Sequence, residues 1–428
     1  MKVVIAGAGI GGMSLALSLL DAGITDVELF ESASAIKELG VGINVLPHAA
    51  RELAELGLLD DFYATAIPTA ELAYYSKRGQ RIWSEPRGLA AGYHWPQFSI
   101  HRGELLGVLS RAVDTRLGAA RVHTGHHLSS FGEQGARVLA EFVDRRTGTS
   151  RGRVEADLLV ACDGVHSVVR RALYPDEGAP KWNGITMWRG VTAGTPFLGG
   201  RTMVMAGYFQ RRVVVYPISH AYEERGEALI NWVAEYKTAD DQPMPVQDWE
   251  HRGQVEEALE PFRSYVFDFL DVPALIRGAQ AIYRYPMIDR DPLPTWNFGR
   301  ITLLGDAAHP MYPVGSNGAS QGILDARVLA RELALQPSIE AAVAAYDAAR
   351  RPPTAAVVLA NRKVGPEQCM EIVEQRAPDG FAELHAIISP DELEAIASAY
   401  KQTAGFAPDV LNARPSYSVR RGLSLDAP

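Results

Sequence analysis

The chain has 428 residues, 47% of them hydrophobic and 22% charged, with 39 glycines and 26 prolines. That size allows two or three domains, and the composition is globular rather than low-complexity or collagen-like. Two cysteines, Cys162 and Cys369, are too few for a disulfide framework and lack zinc-ligand spacing, while a net charge of −9 argues against nucleic acid as a partner.

From Val3 to Leu20 the chain is uncharged, long enough for a signal peptide or a short membrane span. Its interior, Ala6-Gly7-Ala8-Gly9-Ile10-Gly11-Gly12, is too glycine-rich for an apolar helix. The run divides instead into a buried strand at Val3–Ala6, a glycine turn and a helix from about Gly11 to Ala22. No membrane segment and a cytoplasmic location are therefore expected. Val27–Phe30 reads as a second strand and Pro47–Leu59 as an amphipathic helix. The stretch Leu72–Ser99 is aromatic and short-stranded, carrying Tyr74, Tyr75, Trp83, Tyr93 and Trp95. A helix is expected over Arg102–Leu117 and a buried strand over Leu158–Ala161. Strands follow at Thr202–Tyr208, Arg211–Ile218 and Leu229–Val233, then a helical patch over Val255–Leu270 and strands at Ala281–Tyr285 and Arg300–Leu304. The remainder reads as helix at Ser320–Leu335, Ile339–Arg351, Ala355–Val364 and Pro390–Tyr400. This order predicts an α/β protein in which a Rossmann-like dinucleotide-binding domain is interleaved with a β-sheet domain and followed by C-terminal helices.

Gly7-x-Gly9-x-x-Gly12 follows a strand and opens a helix. In that context the first glycine permits the turn, the second lets backbone approach a pyrophosphate, and the third lets helix and strand pack closely. The phosphates then face a helix N-terminus, whose free N–H groups favour anions. Glu31 ends the next strand, nineteen residues after Gly12, where an acid binds ribose hydroxyls and suits FAD or NAD better than NADP. Asp163-Gly164 and Gly305-Asp306 each place an aspartate just past a strand, although either aspartate alone reads equally well as a helix cap. Gly315-Ser316-Asn317-Gly318 is loop, and the helix after it would stabilise negative charge on a bound ring; the plain alternative makes Ser320 its N-cap. Alternation along Arg212–Ile218 puts Arg212, Val214 and Tyr216 on one face, with Tyr216 the candidate pocket-facing phenol. Trp188 and Trp232 read as core or wall. His123, His126 and His127 have no carboxylate or cysteine at ligand spacing, so no metal is expected. His309 reads as ordering the loop after Asp306.

Taken together, the three motifs in this order resemble the single-component FAD-dependent aromatic hydroxylases, the para-hydroxybenzoate hydroxylase-like family, over about residues 1–365. The resemblance implies that Gly7, Gly9, Gly12 and Glu31 hold the ADP half of FAD, with Gly42 and Ile43 also at the cofactor. It gives Arg102 to the pyrophosphate, the backbone of Leu128 to the adenine, Asp163 and Gly164 to a motif shared with the pyridine nucleotide, and Asp306 to the ribityl chain. Pro313 and Gly315 match the residues beside the flavin ring, and Gly318 is counted with the cofactor site; Ser320 departs from the asparagine many members carry near the pyrimidine end, where Asn317 is the candidate to take its place. A narrower likeness, in Gly40–Asn44, Trp83–Gly88, Gly184–Gly190 and Tyr285–Pro292, is to the phenazine-modifying branch. The family resemblance implies NADH or NADPH as transient co-substrate, O2, a flavin C4a-hydroperoxide and hydroxylation of a planar aromatic or heteroaromatic substrate; the narrower likeness makes a phenazine-carboxylate-like ring the leading one, with or without loss of CO2. Arg189 and Arg212 are then candidate partners for a substrate carboxylate. The alternative is a non-oxygenating flavin oxidoreductase of the same fold. The implied domains are FAD-binding at 1–70, 97–180 and 283–365, substrate-binding at 71–96 and 181–282, and a helical tail at 366–428, in a monomer or homodimer.

Overall fold

Val3, Val4 and Ile5 are completely buried, as are Leu158, Leu159 and Val160, which suits strands covered on both faces in the middle of a parallel sheet. The computed structural model describes residues 1–36, 40–238, 243–245, 251–363, 365–396 and 407–419, and it pairs these two runs directly, Val4 opposite Leu159. They sit at the centre of a six-stranded sheet ordered Asn297–Phe298, Ile301–Leu303, Leu158–Ala161, Lys2–Ala6, Asp26–Phe30, Val122–His123. Every pairing is parallel except that of the Asn297–Phe298 edge. The chain leaves Lys2–Ala6 on one side for Asp26–Phe30 and returns on the other at Leu158–Ala161. That makes a topological switch point, and ligands of α/β sheets bind beyond the carboxyl ends of the strands at such a point. Helices Ile10–Asp21, Arg102–Val113 and Gly318–Leu335 share the sheet's core through Leu15, Leu19, Leu105, Leu109, Ile323 and Leu329.

The β-rich insertion forms a seven-stranded sheet ordered Ile282–Asp289, Lys181–Gly194, Ala228–Lys237, Arg211–Pro217, Thr202–Tyr208, Glu71–Tyr75, Arg81–Pro86. Its two faces bury different cores. Val213, Val215, Trp188 and Trp232 pack with Phe262 and Ile276 on one side; Val214, Tyr216, Tyr74 and Met203 pack with Met370 and Val373 of helix Gln368–Arg376 on the other. Val214 and Tyr216 thus share the face that alternation assigns them.

The structure departs from the sequence reading at several elements. The strand Ile282–Asp289 pairs with Lys181–Gly194, Tyr285 opposite Met187, so the large sheet runs past the 282/283 boundary. A strand's own pattern does not reveal which sheet will take it. Val255–Leu270 is not one helix. It is a helical turn at Val255–Leu259, a hairpin of Val266–Phe267 with Leu270–Asp271, and then a helix at Val272–Gly278. Tyr265 and Phe267 are buried two residues apart, and Asp271 starts the new helix by accepting the Ala274 N–H at 2.8 Å. The two helices expected around Pro352-Pro353 are one, Ile339–Asn361, because Tyr346, Val357 and Val358 bury one continuous face across the prolines. Residue 364 and residues 397–400, at the ends of two expected helices, lie outside the described residues. Among the described residues no helix is long and apolar enough to cross a membrane.

Two sets of contacts hold the sheets in register. The Gly42 N–H donates to Asn231 Oδ1 at 2.6 Å, and Arg189 Nη2 donates to the Gly42 carbonyl at 2.7 Å. A C-terminal strap then crosses the six-stranded half. Arg414 pairs with Glu52, while the hydroxyls of Ser416 and Ser418 donate to Glu55 at 2.7 Å and Asp21 at 2.8 Å.

Candidate active site

Four parallel strands end in the singled-out residues: Ala6 in the glycine turn, Phe30 in Glu31, Ala161 in Cys162-Asp163, and Leu303 in Leu304-Gly305-Asp306. Gly7 has φ +104°, and a Cβ there would lie 2.3 Å from the Cys162 carbonyl oxygen; one on Gly12 would lie 1.9 Å from that of Gly7. Around Gly9, the N-cap of helix Ile10–Asp21, a Cβ would meet nothing within 4 Å. Beside that open ground Glu31 accepts the N–H groups of Ala8 at 2.9 Å and Ala33 at 2.8 Å, which holds its carboxylate against the turn. The His126 N–H donates to the Glu31 carbonyl at 2.8 Å, which brings the segment just before the buried Leu128 beside the same turn. Asp163 accepts the Val168 N–H at 2.8 Å, while its Oδ1 is buried without a partner, and burial pushes its pKa up. Gly164 follows with φ +76°.

Between Ile301 and Pro310 the one exposed residue is Asp306. Beneath it, the buried Asp325 accepts the Gly305 N–H at 3.2 Å, His309 Nε2 at 2.5 Å and Arg350 Nε at 2.7 Å. His309 therefore orders this turn. Arg102 opens the helix Arg102–Val113 with surface open to solvent; desolvation by the neighbouring groups lowers its pKa, against the pull of Asp306. The Pro313–Asn317 loop is strained. Pro313 is exposed, Gly315 has φ +67°, and Ser316 has φ +58°, a value rare for a residue with a side chain. Asn44, in the strand Gly42–Val45 with Ile43, steadies it by donating to the Ser316 hydroxyl at 3.2 Å. Helix Gly318–Leu335 begins with Asn317, not Ser320, as N-cap. The Ser320 hydroxyl instead accepts the Leu46 N–H at 3.1 Å, a long-range tie that local sequence does not announce. Asn317 is buried with its Oδ1 unpartnered.

A cavity of about 170 Å³ adjoins this loop. Gly315, Ser316 and Asn317 line it together with Leu72, Tyr74, Tyr93, Met203, Met205, Pro86 and Pro408. The aromatic stretch contributes only Tyr74 and Tyr93; Tyr75 packs on Phe269 in the opposite core, and Trp95 lies under Arg51 at 4.7 Å. The polar members are His48, Glu85, Arg87, Gln97 and Glu367. Tyr74 donates to Glu85 at 3.3 Å, and burial holds its pKa well above the usual phenol value. His48 is driven down to about 3 by burial and by the cations Arg350 and Arg414.

Neither expected carboxylate partner lines this cavity. Arg212 is buried in ion pairs with Glu235 at 2.5 Å and Glu367 at 3.4 Å, so both of its faces are taken. Arg189 holds the Gly42 carbonyl and hydrogen-bonds to the buried Tyr216 hydroxyl, whose pKa burial raises. Sequence reasoning passed over Arg87, Asn44 and His48. The first two lie inside segments that carry the narrower resemblance, and their residue types were the available signal. Among the described residues no cluster of three or more His, Cys, Asp or Glu is arranged to hold a metal.

An adenine dinucleotide fits what stands at the switch point: open ground at Gly9, a fixed Glu31 and an unpartnered acceptor at Asp163. The chain belongs to the FAD binding domain family, whose model matches residues 1–361, and it is an FAD-dependent aromatic monooxygenase. In particular, it is 46% identical over 388 residues to the phenazine 1,6-dicarboxylic acid hydroxylase of Lysobacter antibioticus, covering 90% of this chain and 95% of that one. It is 33% identical over 353 residues to the aurachin C monooxygenase/isomerase of Stigmatella aurantiaca, covering 82% and 85%. Klebsiella pneumoniae HpxO, solved with FAD and uric acid, shares the fold with a TM-score of 0.73 over 97% of both chains at 24% identity.

Proposed function

We propose that this enzyme hydroxylates a planar heteroaromatic carboxylic acid, a phenazine carboxylate foremost, using NADH or NADPH and O2 in the reducing cytoplasm. The observation that carries the reading is the cavity itself, a mostly apolar space with Tyr74, Tyr93, Met203 and Met205 in its walls and the Gly315–Asn317 loop at its edge. Flat rings gain about 0.5–1.5 kcal/mol per aromatic contact in such a space. Bound FAD supplies the hydride acceptor and the oxygen-activating chemistry. The protein's own residues bind, orient and exclude water. The turn at Gly7–Gly12, Glu31, Asp163, Arg102 and Asp306 hold the cofactor's polar length. Backbone N–H groups at the start of helix Gly318–Leu335 favour negative charge at the ring end. The cavity walls keep solvent from the reacting carbon. Arg189 and Tyr216 act from behind Gly42, positioning its strand, rather than on the substrate. In this reading the FAD-binding segments are 1–70, 97–180 and about 290–365, around substrate-binding segments 71–96 and 181–289.

The test is NAD(P)H consumption across a panel of aromatic acids and heterocycles, with mass spectrometry of products formed under 18O2. One labelled atom in a phenazine-type acid, or in its decarboxylated product, is expected. Coupling to monocyclic phenols alone would remove the ring-system assignment. Coupling only to aliphatic ketones or lipids would remove the aromatic acid altogether.

A further inference from the structure

We propose that Arg87 recognises the substrate's carboxylate and thereby fixes which edge of the ring meets the Gly315–Asn317 loop; this rests on the aromatic-acid reading above. Arg87 is the one lysine or arginine among the described residues lining the cavity. His48 cannot share the task, since its pKa of about 3 leaves it neutral. Arg212 stands behind Glu367 and is already paired twice. By contrast, the guanidinium of Arg87 has donors to spare. Its Nε is buried with no hydrogen-bond partner, and its ion pair with Glu85 is a long one, 3.9 Å from Nη2, that makes no hydrogen bond. Glu85 itself accepts from Tyr74.

The backbone holds this side chain at the cavity. The Arg87 N–H donates to the Ala70 carbonyl at 2.8 Å. The next residue, Gly88, has φ +55°, and a Cβ there would lie 2.5 Å from the Gln97 nitrogen. That turn admits no side chain, so the chain direction on either side of it is set. A planar fork with unused donors matches a carboxylate in bidentate geometry, as an ammonium does not. Glu367 lines the same cavity and repels a carboxylate placed against it, whereas the charge of Glu85 is offset by Arg87 and the Tyr74 hydroxyl. One anionic edge therefore goes to Arg87, and the remaining rim of the ring is left for the flavin end.

The experiment titrates FAD-loaded wild type, Arg87→Met and Arg87→Lys with phenazine-1-carboxylic acid and with unsubstituted phenazine, following flavin fluorescence. In Arg87→Met the acid is expected to bind about 10- to 100-fold more weakly, the range of a charge-assisted pair, with phenazine unchanged. Arg87→Lys should recover part of the difference. Equal losses for both ligands, or no loss for the acid, would overturn the role of Arg87 while leaving the aromatic-acid reading in place. Wild type that binds neither ligand would overturn both.

Discussion

A methyl group on Gly12 would overlap the Gly7 carbonyl oxygen at 1.9 Å, whereas one on Gly9 would touch nothing within 4 Å. The same motif therefore holds two physical tasks, and two variants separate them. Gly12→Ala should lower the stability of the flavin-free protein by at least about 1–3 kcal/mol, because backbone must shift to admit the Cβ. Gly9→Ala should leave that stability within about 1 kcal/mol and weaken FAD binding tenfold or more. Urea unfolding and FAD titration of both proteins provide the check. Full flavin affinity in Gly9→Ala would mean that the pyrophosphate lies elsewhere. These glycines were legible because their constraint is local: a turn, a helix start and a strand within a dozen residues. Arg87 was not, since nothing near it in sequence shows that its Nε will be buried without a partner.

At the scale of one strand, period-two alternation along Arg212–Ile218 correctly put Val214 and Tyr216 on one face and Val213 and Val215 on the other, but left open what each face would meet. Arg212 shares the face of Val214 and Tyr216, and that face is capped by helix Gln368–Arg376, whose N-cap residue Glu367 reaches the guanidinium. Burial alone would lower the pKa of Arg212, but Glu235 and Glu367 more than offset it and keep the side chain charged. Arg212→Met should then leave two buried carboxylates facing each other. A loss of about 3–5 kcal/mol in urea unfolding is expected, as for removal of one member of a buried ion pair. A substrate-anchoring arginine would show the reverse: weaker ligand binding at unchanged stability. The misread Val255–Leu270 segment teaches a related point. Helical spacing in isolation cannot register that Tyr265 and Phe267 find a core on alternate residues.

Across the whole molecule, the C-terminal strap closes a group of buried charges over the nucleotide half. Glu52, fully buried, meets both Arg327 and Arg414, and Arg414 also faces His48. His48 falls from 6.5 to about 3 because burial, Arg350 and Arg414 all oppose its protonation. The folded protein therefore declines a proton that the unfolded chain accepts below about pH 6.5. This contribution is intact above that pH and drains away on acidification, at about 1.4 kcal/mol per pH unit, until the folded value is reached. Between pH 7.5 and 5.5 wild type should lose about 1.4 kcal/mol more than His48→Asn in parallel denaturant titrations. Identical losses would show that His48 takes up its proton in the folded state.

Local chemistry was enough to specify the α/β class, the dinucleotide fingerprint and the family: glycine positions, a strand-ending Glu31 and two strand-ending aspartates impose backbone conformations within short windows. The content of the pocket depended on contacts between distant residues. Met203 and Met205 meet Tyr74 across a parallel strand pair, Pro408 arrives from the far end of the chain, and Glu367 takes Arg212 out of contention. Which arginine keeps donors free toward the cavity is settled by which carboxylates fold against each one, and that pairing exists only once both sheets and the C-terminal segments are packed.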